Sequence, residues 1–550
     1  MCGIFAIIQI NNSLSHYISK SKLIINDEFM KGQSRGPDNS TLQKINNNVT
    51  FGFHRLSING LDEKSNQPIF IHGVYLICNG EIYNHKDIMS QLNMNPKTNS
   101  DCESIIHLYN KYGIRYTLEN LDGVFSFVLY DTNKQQIYIA RDPYGIRPLY
   151  IGINQSKYIV VSSLLKQINN FNTNIQQFEH GSYIKCSFMN TLNISNYVKY
   201  TNFNYYNKKY DICDYNYKNI CNTLYNSVYK RVQNTERKIA CLLSGGLDSS
   251  IISAMVSKYI SGQQLETYSI GMKGGTDLKY AQLVSQHINS KHTEIILTEE
   301  EFFNTIPQVI YNIESYDTTT VRASVGNYLV AKYISENSDA KVIFNGDGSD
   351  EVTGGYMYFH NCPNNIEFDY ECKRLLNDIQ FYDVLRSDRT ISCHGLEART
   401  PFLDRQFVNN YLSIPLEYRN HNNGQKMEKW LLRKSIETMA PELLPNEVLW
   451  RPKEAFSDGV SSNSKSWYEI IQDRLENIYS DDDFKNKCDT YNHNKPTTKE
   501  QLYYRELFES YYPGQSHIIP YFWMPKYSVV NDSSARKLDI YKDKSTSSTN

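Results

Sequence analysis

A cysteine directly follows the first methionine, in MCGIFAI. If Met1 is removed, the Cys2 thiol lies beside a free α-amine whose pKa is roughly 7.7–8.0. Such an amine can take the thiol proton without a histidine, and the small second residue favours removal. A cysteine attacking a carbonyl also needs oxyanion donors. The stretch CNGEIYN offers two, the Asn79 side-chain amide and the Gly80 N–H. A substrate shaped like an amino acid needs both charged ends held. Arg55, in FHRLSI, can grip a carboxylate through two hydrogen bonds; Asp101, in NSDCES, and Glu81 can hold an ammonium. Each residue has an ordinary alternative: packing for Cys2, surface charge for Arg55, a helix cap for Asp101. Their joint position on strand ends favours a site.

A second signal is KIACLLSGGLDSSIISAM. A strand delivers Ser244, Gly245 and Gly246 into a tight turn, and a helix is expected from about Ser249. The glycines let backbone N–H groups curl into an anion-binding nest, and the helix start adds partial positive charge. Ser244, Ser249 and Ser250 can donate hydroxyls. Asp248 would repel phosphate unless a Mg²⁺ ion lies between them. The competing reading is a glycine-rich turn with Asp248 as a helix cap. No GK[ST] follows, so this is not a Walker A loop. Further on, NGDGSDE follows the strand KVIF. There Gly346 and Gly348 allow close approach, and Asp350 is a second candidate metal ligand; the alternative is a solvated acidic loop.

The elements that must position these groups differ between the two halves. Up to about Cys186 the apolar runs are short, rich in Val, Ile, Phe and Tyr, and separated by turns, as strands require. One helical stretch, DCESIIHLYNKYG, interrupts them. The second half alternates strand and helix, which predicts a doubly wound parallel sheet with ligands at the carboxyl ends of its strands. The expected fold class is therefore α+β, then α/β. The boundaries fall at 2–186, a polar connector at 187–215, a second domain at 216–530 and a polar tail at 531–550, expected to be disordered.

The bulk composition excludes several classes. The chain has 550 residues and a formal net charge of -2, so no electrostatic case exists for nucleic acid or an anionic membrane. No apolar run reaches the roughly 18–20 residues that span a bilayer, and no secretory signal or presequence stands at the start. The 11 cysteines lack metal spacing and read as thiols of a reducing compartment, with a cytoplasmic location expected. The 44 tyrosines accompany frequent Asn, Lys and Ile and read as codon bias.

MCGIFA, RGPD, HRLSI, NGEIYN, SDCES, GVFSFVLYD and ARDPYGIRPLY resemble the glutaminase domain of the N-terminal-nucleophile amidotransferases. LLSGGLDSS, YSIGM, ESYDTTTVRAS, NGDGSDE, GLEARTPFLD and RPKEAFSDGV resemble the synthetase domain of glutamine-hydrolysing asparagine synthetases, with the pyrophosphate loop of the ATP pyrophosphatases. The likeness runs over nearly the whole chain in the right order. It implies a four-layer αββα sandwich followed by an ATP pyrophosphatase domain. In the first, Cys2 would attack the glutamine amide, Asn79 and Gly80 would stabilise the oxyanion, Arg55 would bind the α-carboxylate, and Glu81 and Asp101 the amine. Ammonia would pass through an internal tunnel. In the second, ATP would be bound by Leu243, Ser244, Gly245, Gly246, Leu247, Asp248, Ser249, Ile270, Asn345 and Gly346. Asp248 and Asp350 would serve Mg²⁺ and Lys453 the phosphates. Aspartate would become β-aspartyl-AMP, with Asp347 as acid/base; Thr319, Arg322, Glu397, Arg399 and Asp404 would shape the aspartate and pyrophosphate pocket.

The sequence departs from the family pattern in places. Asp347 stands where Glu is common, Asn345 where Ser is, Ser34 where His precedes RGPD, and Leu164 where a Glu is usual. Two alternatives follow: a related synthetase that adenylates another carboxylate, and a degenerate regulatory copy. The retained Cys2, Asn79 and Asp101 weigh against both. The resemblance leaves a homodimer open.

Overall fold

The computed structural model describes residues 1–9, 22–154, 157–171, 173–188, 192–201, 214–422, 426–454, 459–461, 465–528 and 532–534. The expected tail therefore lies outside the described residues except for Asp532–Ser534, and so does most of the expected connector. The chain divides into two compact units. One holds Met1–Asn202, Asn234–Lys238 and Ile391–Glu397; the other holds Phe203–Gln233, Ile239–Thr390 and Ala398–Asn550.

The first unit carries β1 (Gly3–Gln9), β2 (Asn39–Lys44), β3 (Val49–Arg55), β4 (Ile69–Ile71), β5 (Val74–Ile82), β6 (Gly123–Asp131), β7 (Gln136–Arg141), β8 (Tyr150–Asn154), β9 (Tyr158–Ser162), β10 (Asn174–Gln177), β11 (Ser182–Phe188), β12 (Leu192–Ile194) and β13 (Val198–Lys199). They make two antiparallel sheets, ordered β10-β8-β9-β1-β3-β2 and β12-β11-β7-β6-β5-β4, with β13 beside β11. The described part of the connector thus adds two short strands to the second sheet.

Alternation along each strand builds the layers. Ile4, Ala6 and Ile8 of β1 meet Ile77, Val128 and Ile139 in the core between the sheets. Phe5 points the other way, to Phe29 of the helix Lys22–Met30, with ring centroids 5.9 Å apart. That helix sits so close that a Cβ on Gly52 would meet the Phe29 ring at 2.7 Å. On the far side, Leu76, Cys78, Phe125 and Phe127 pack against Ile105, Ile106 and Tyr109 of the helix Glu103–Tyr112. Helix, sheet, sheet and helix are the four layers.

The second unit is built on β14 (Ile239–Leu242), β15 (Glu266–Met272), β16 (Lys291–Leu297), β17 (Val342–Phe344) and β18 (Glu397–Arg399), in the order β16-β15-β14-β17-β18. β14 pairs in parallel with both β15 and β17, and β15 with β16. Succession runs outward from β14 to β16, then jumps back across β14 to β17. The reversal between β14 and β17 is where doubly wound sheets bind ligands. Both glycine-rich turns leave the sheet there. The helix Leu247–Ser257 starts two residues earlier than expected, with Gly246 at its N-cap.

Candidate active sites

In the first unit the alternation of β5 places Asn79 on the same face as Ile77, towards the core against which Cys2 packs. Asn79 is fully buried, and neither its Nδ2 nor its Oδ1 has a partner. A buried amide left without partners costs stability, so its retention points to a group that arrives later. Gly80 is fixed by crowding: a Cβ there would meet the Val124 carbonyl oxygen at 2.3 Å.

The Cys2 Sγ lies 3.6 Å from the Leu56 carbonyl oxygen. Burial pushes its thiol up to about 11, so it is protonated near neutral pH and needs a base to react. The amine of Met1 is buried 3.6 Å from Glu397 Oε2, and burial lowers its pKa below the ordinary value. Arg35 Nε donates to the Cys2 carbonyl oxygen at 3.0 Å, and Arg147 Nη2 lies 3.5 Å from the same Glu397 oxygen.

The expected amino-acid-binding groups are all buried. Arg55 is buried and donates from Nη1 to the Asp62 carbonyl (2.8 Å) and Asn66 Oδ1 (2.7 Å), and from Nη2 to the Gly60 carbonyl. Glu81 Oε2 accepts from Asn59 and Asn234 at 2.7 and 2.8 Å. Asp101 Oδ2 accepts from the Ile82 N–H at 2.5 Å. It does not cap the following helix, whose N-cap position is Cys102.

In the second unit the two turns line a single cavity of about 230 Å³. Ser244, Gly246, Leu247, Asp248 and Ser249 line it from β14; Asn345, Gly346, Asp347 and Asp350 line it from β17; Thr319 and Lys453 complete the expected set there. Gly245 has φ +80°, and a Cβ on it would meet the Ala281 nitrogen at 2.4 Å, so only glycine fits the turn. Gly346 lies so close that a Cβ would come within 2.7 Å of Asp248 Cβ.

Charge in this cavity is dense and matched. Asp248 Oδ1 accepts from Ser349 Oγ at 2.7 Å, and its Oδ2 accepts from Lys429 Nζ. The Lys429 ammonium also lies 2.7 Å from Asp350 Oδ1, as an ion contact rather than an aligned hydrogen bond. Lys453 Nζ takes Asp350 Oδ2 at 2.5 Å. Burial alone would raise the Asp350 pKa, but Lys429 and Lys453 reverse this and hold it well below the usual carboxylate range. Asp248 and Asp350 thus share one cation and present hard oxygen donors side by side, a set that fits Mg²⁺ alongside phosphate oxygens.

Asp347 Oδ1 accepts from Arg386 Nη2 at 2.8 Å, while its buried Oδ2 has no partner. Burial pushes its pKa up, against the pull of Arg386. Glu351 and Asp383 share the Tyr356 hydroxyl at 2.6 and 3.1 Å; burial and the Asp383 charge hold Glu351 well above the ordinary value.

Seven expected residues sit away from the cavity lining, Gly245 of the first turn among them. Arg322 is buried in a double fork with Glu500 (2.8 and 2.6 Å) and Asp532 (2.8 and 2.7 Å). Arg399 Nη1 donates to the Arg231 carbonyl at 2.6 Å, and Asp404 pairs with Lys230 and Arg231 while capping the helix Arg405–Leu412. Glu397 groups with the first unit, beside the Met1 amine. Ile270 is buried in β15, and the Leu243 N–H is bonded to the Tyr268 carbonyl at 2.8 Å. Conversely, Lys429, Arg386, Tyr356, Asp383 and Trp523 line the cavity and were not foreseen. Lys429 carried no local signal; its backbone is left-handed, at φ 60°, on a lysine. Among the described residues, no group of three His, Cys, Asp or Glu side chains is placed to hold a metal. The described cysteines are free thiols, and no described helix is long and apolar enough to cross a membrane.

An αββα sandwich with a cysteine just ahead of its first core strand and an unpartnered amide facing the same core has the make-up of a glutamine amidotransferase, and the parallel sheet with paired glycine turns has that of an ATP pyrophosphatase. Comparison with known families agrees. The glutamine amidotransferase domain matches residues 1–204, and the asparagine synthase family matches 219–371 and 363–530. The chain is 40% identical to the glutamine-hydrolysing asparagine synthetase of Gallus gallus and 39% identical to those of Homo sapiens and Rattus norvegicus, covering 98% of this chain and 99% of each relative. The chain belongs to the family of glutamine-hydrolysing asparagine synthetases, and is an ATP-dependent ligase.

Proposed function

We propose that the chain makes asparagine, glutamate, AMP and pyrophosphate from aspartate, glutamine, ATP and water. The observation that carries this reading is the coexistence of an orphaned, buried Asn79 amide near Cys2 with a cavity in which two carboxylates and two ammonium groups face a glycine turn.

In the first step the Cys2 amine, freed by loss of Met1, takes the thiol proton as sulfur attacks the glutamine amide carbon. Asn79 Nδ2 and the Gly80 N–H receive the oxyanion. The proton passes to the leaving nitrogen, ammonia departs, and water releases glutamate from the thioester. Arg55 holds the glutamine carboxylate and Glu81 with Asp101 its ammonium.

In the second step the aspartate β-carboxylate attacks the α-phosphorus and pyrophosphate leaves. The turn Ser244–Ser249, with Leu243, Ile270, Asn345 and Gly346, holds ATP. Lys453 carries charge developing on the phosphates. Asp248 and Asp350 would hold Mg²⁺, which when bound offsets the triphosphate charge. Ammonia then attacks the β-aspartyl-AMP carbon, the bond from that carbon to the AMP oxygen breaks and AMP leaves, and Asp347, with its raised pKa and open Oδ2, receives the proton lost by nitrogen. Thr319 faces aspartate or pyrophosphate from the cavity wall. Arg322, Arg399 and Asp404 support the fold of this unit without touching substrate, and Glu397 serves the first unit beside the Met1 amine. A cytoplasmic location fits the free thiols, and a homodimer is the oligomeric state to test.

Aspartate carrying ¹⁸O in its β-carboxylate tests the chemistry. One ¹⁸O should appear in AMP for each asparagine formed. Label confined to asparagine, or in pyrophosphate, would exclude the adenylate.

A further inference from the structure

Lys429 stands where a divalent cation would have to sit to join Asp248 and Asp350. Its ammonium contacts both carboxylates, and its side chain is 1% exposed. It is locked in place: its backbone is left-handed, and a Cβ on Gly355 would come within 2.0 Å of its Cε. The remaining carboxylate oxygens are also engaged, Asp248 Oδ1 by Ser349 and Asp350 Oδ2 by Lys453. Two carboxylates and two ammonium groups balance to zero charge. A free dication entering this set must displace an ammonium and gains little net attraction. A triphosphate changes the balance, because its oxygens can take the ammonium groups and release the carboxylates.

We propose that Lys429 is an internal counter-cation that keeps Asp248 and Asp350 from taking up a divalent metal until the nucleotide arrives. The metal then enters only with ATP, and the empty enzyme does not collect metal ions. This rests on the reading of Asp248 and Asp350 as the metal-holding pair.

Electron paramagnetic resonance of Mn²⁺ tests it on the full chain, with and without α,β-methylene-ATP, which resists cleavage at the reacting bond. Wild type should bind Mn²⁺ with the nucleotide analogue and not without it. Lys429→Met should bind one Mn²⁺ per chain without nucleotide, at least about tenfold more tightly than wild type, since one buried positive charge is gone. Should Lys429→Met fail to fold, Lys429→Gln keeps a polar tip and carries the same expectation. Tight Mn²⁺ binding by nucleotide-free wild type, or no gain in either variant, would overturn the proposal. Asp350→Asn separates the two layers of inference. Loss of its Mn²⁺ signal with the analogue supports the carboxylate assignment, and an unchanged signal would refute that assignment whatever Lys429 does.

Discussion

The two sites prepare for charged intermediates in opposite ways. In the first unit the Asn79 amide is buried with both polar ends unmet, and the Cys2 thiol is pushed to about 11 by burial. In the second, Asp248, Asp350, Lys429 and Lys453 satisfy one another before any substrate binds. The first holds a polar deficit that an oxyanion fills, which suits a small, singly charged intermediate in an apolar core. The second holds matched pairs that a polyanion can exchange, which suits a triphosphate whose charge would be ruinous in an unpaired site. The difference teaches that electrostatic preorganisation can be stored as unmet hydrogen bonds or as replaceable ion pairs. Mutations should act differently on each.

The largest effect common to both nitrogen donors is expected in the second site. Lys453→Met leaves Asp350 with half of its compensation and removes a phosphate-facing charge. Asparagine formation should fall by about 10²–10³-fold with either nitrogen donor, read as asparagine per minute by chromatography. A loss seen with glutamine alone would break the comparison. Asn79→Ala comes next. Glutamate release should fall by about 10²-fold, the cost of one oxyanion donor, while ammonium-dependent synthesis stays within about twofold. The same substitution should not lower the melting temperature, because the lost amide makes no hydrogen bond; a marked drop would show that Asn79 is a structural group.

How much of this was legible in the sequence depends on range. The glycine turns, the strands KIACLL, KVIF and VYLIC, and Cys2, Asn79 and Gly80 were readable because turn chemistry and strand alternation are local. Lys429 was not, because its meaning lies in partners 181 and 79 positions away, Asp248 and Asp350. Arg386 was missed for the same reason. Arg322 was assigned to the pocket by the resemblance of its motif, ESYDTTTVRAS, but its helix turns it towards Glu500 and Asp532. Glu397 sits in a motif of the second half, yet its carboxylate lies beside the first methionine. Ion pairing between distant segments leaves no periodic trace.

The smallest effect concerns the frame of the second site. Asp317 caps the helix Thr318–Asn337 through Thr320 and accepts the Trp523 N–H at 2.7 Å. Burial raises its pKa from 3.8 to about 6, against those hydrogen bonds. The folded state therefore binds this proton more tightly than the unfolded chain, and its stabilising contribution is lost as pH rises from about 4 through 6. Asp317→Asn removes the titration. Whatever constant offset the substitution brings, its melting temperature relative to wild type should rise between pH 4 and 7, by roughly a few degrees. A flat or falling difference would show that the carboxylate stays ionised in the fold.

The central claim is that two independent sites, joined only by ammonia, make one product. Cys2→Ala tests it most directly, with asparagine measured against glutamine and against ammonium as nitrogen donor. The account predicts that glutamine-dependent synthesis vanishes while ammonium-dependent synthesis stays close to wild type. Loss of both from a variant with wild-type melting behaviour, or persistence of the glutamine route, would contradict it.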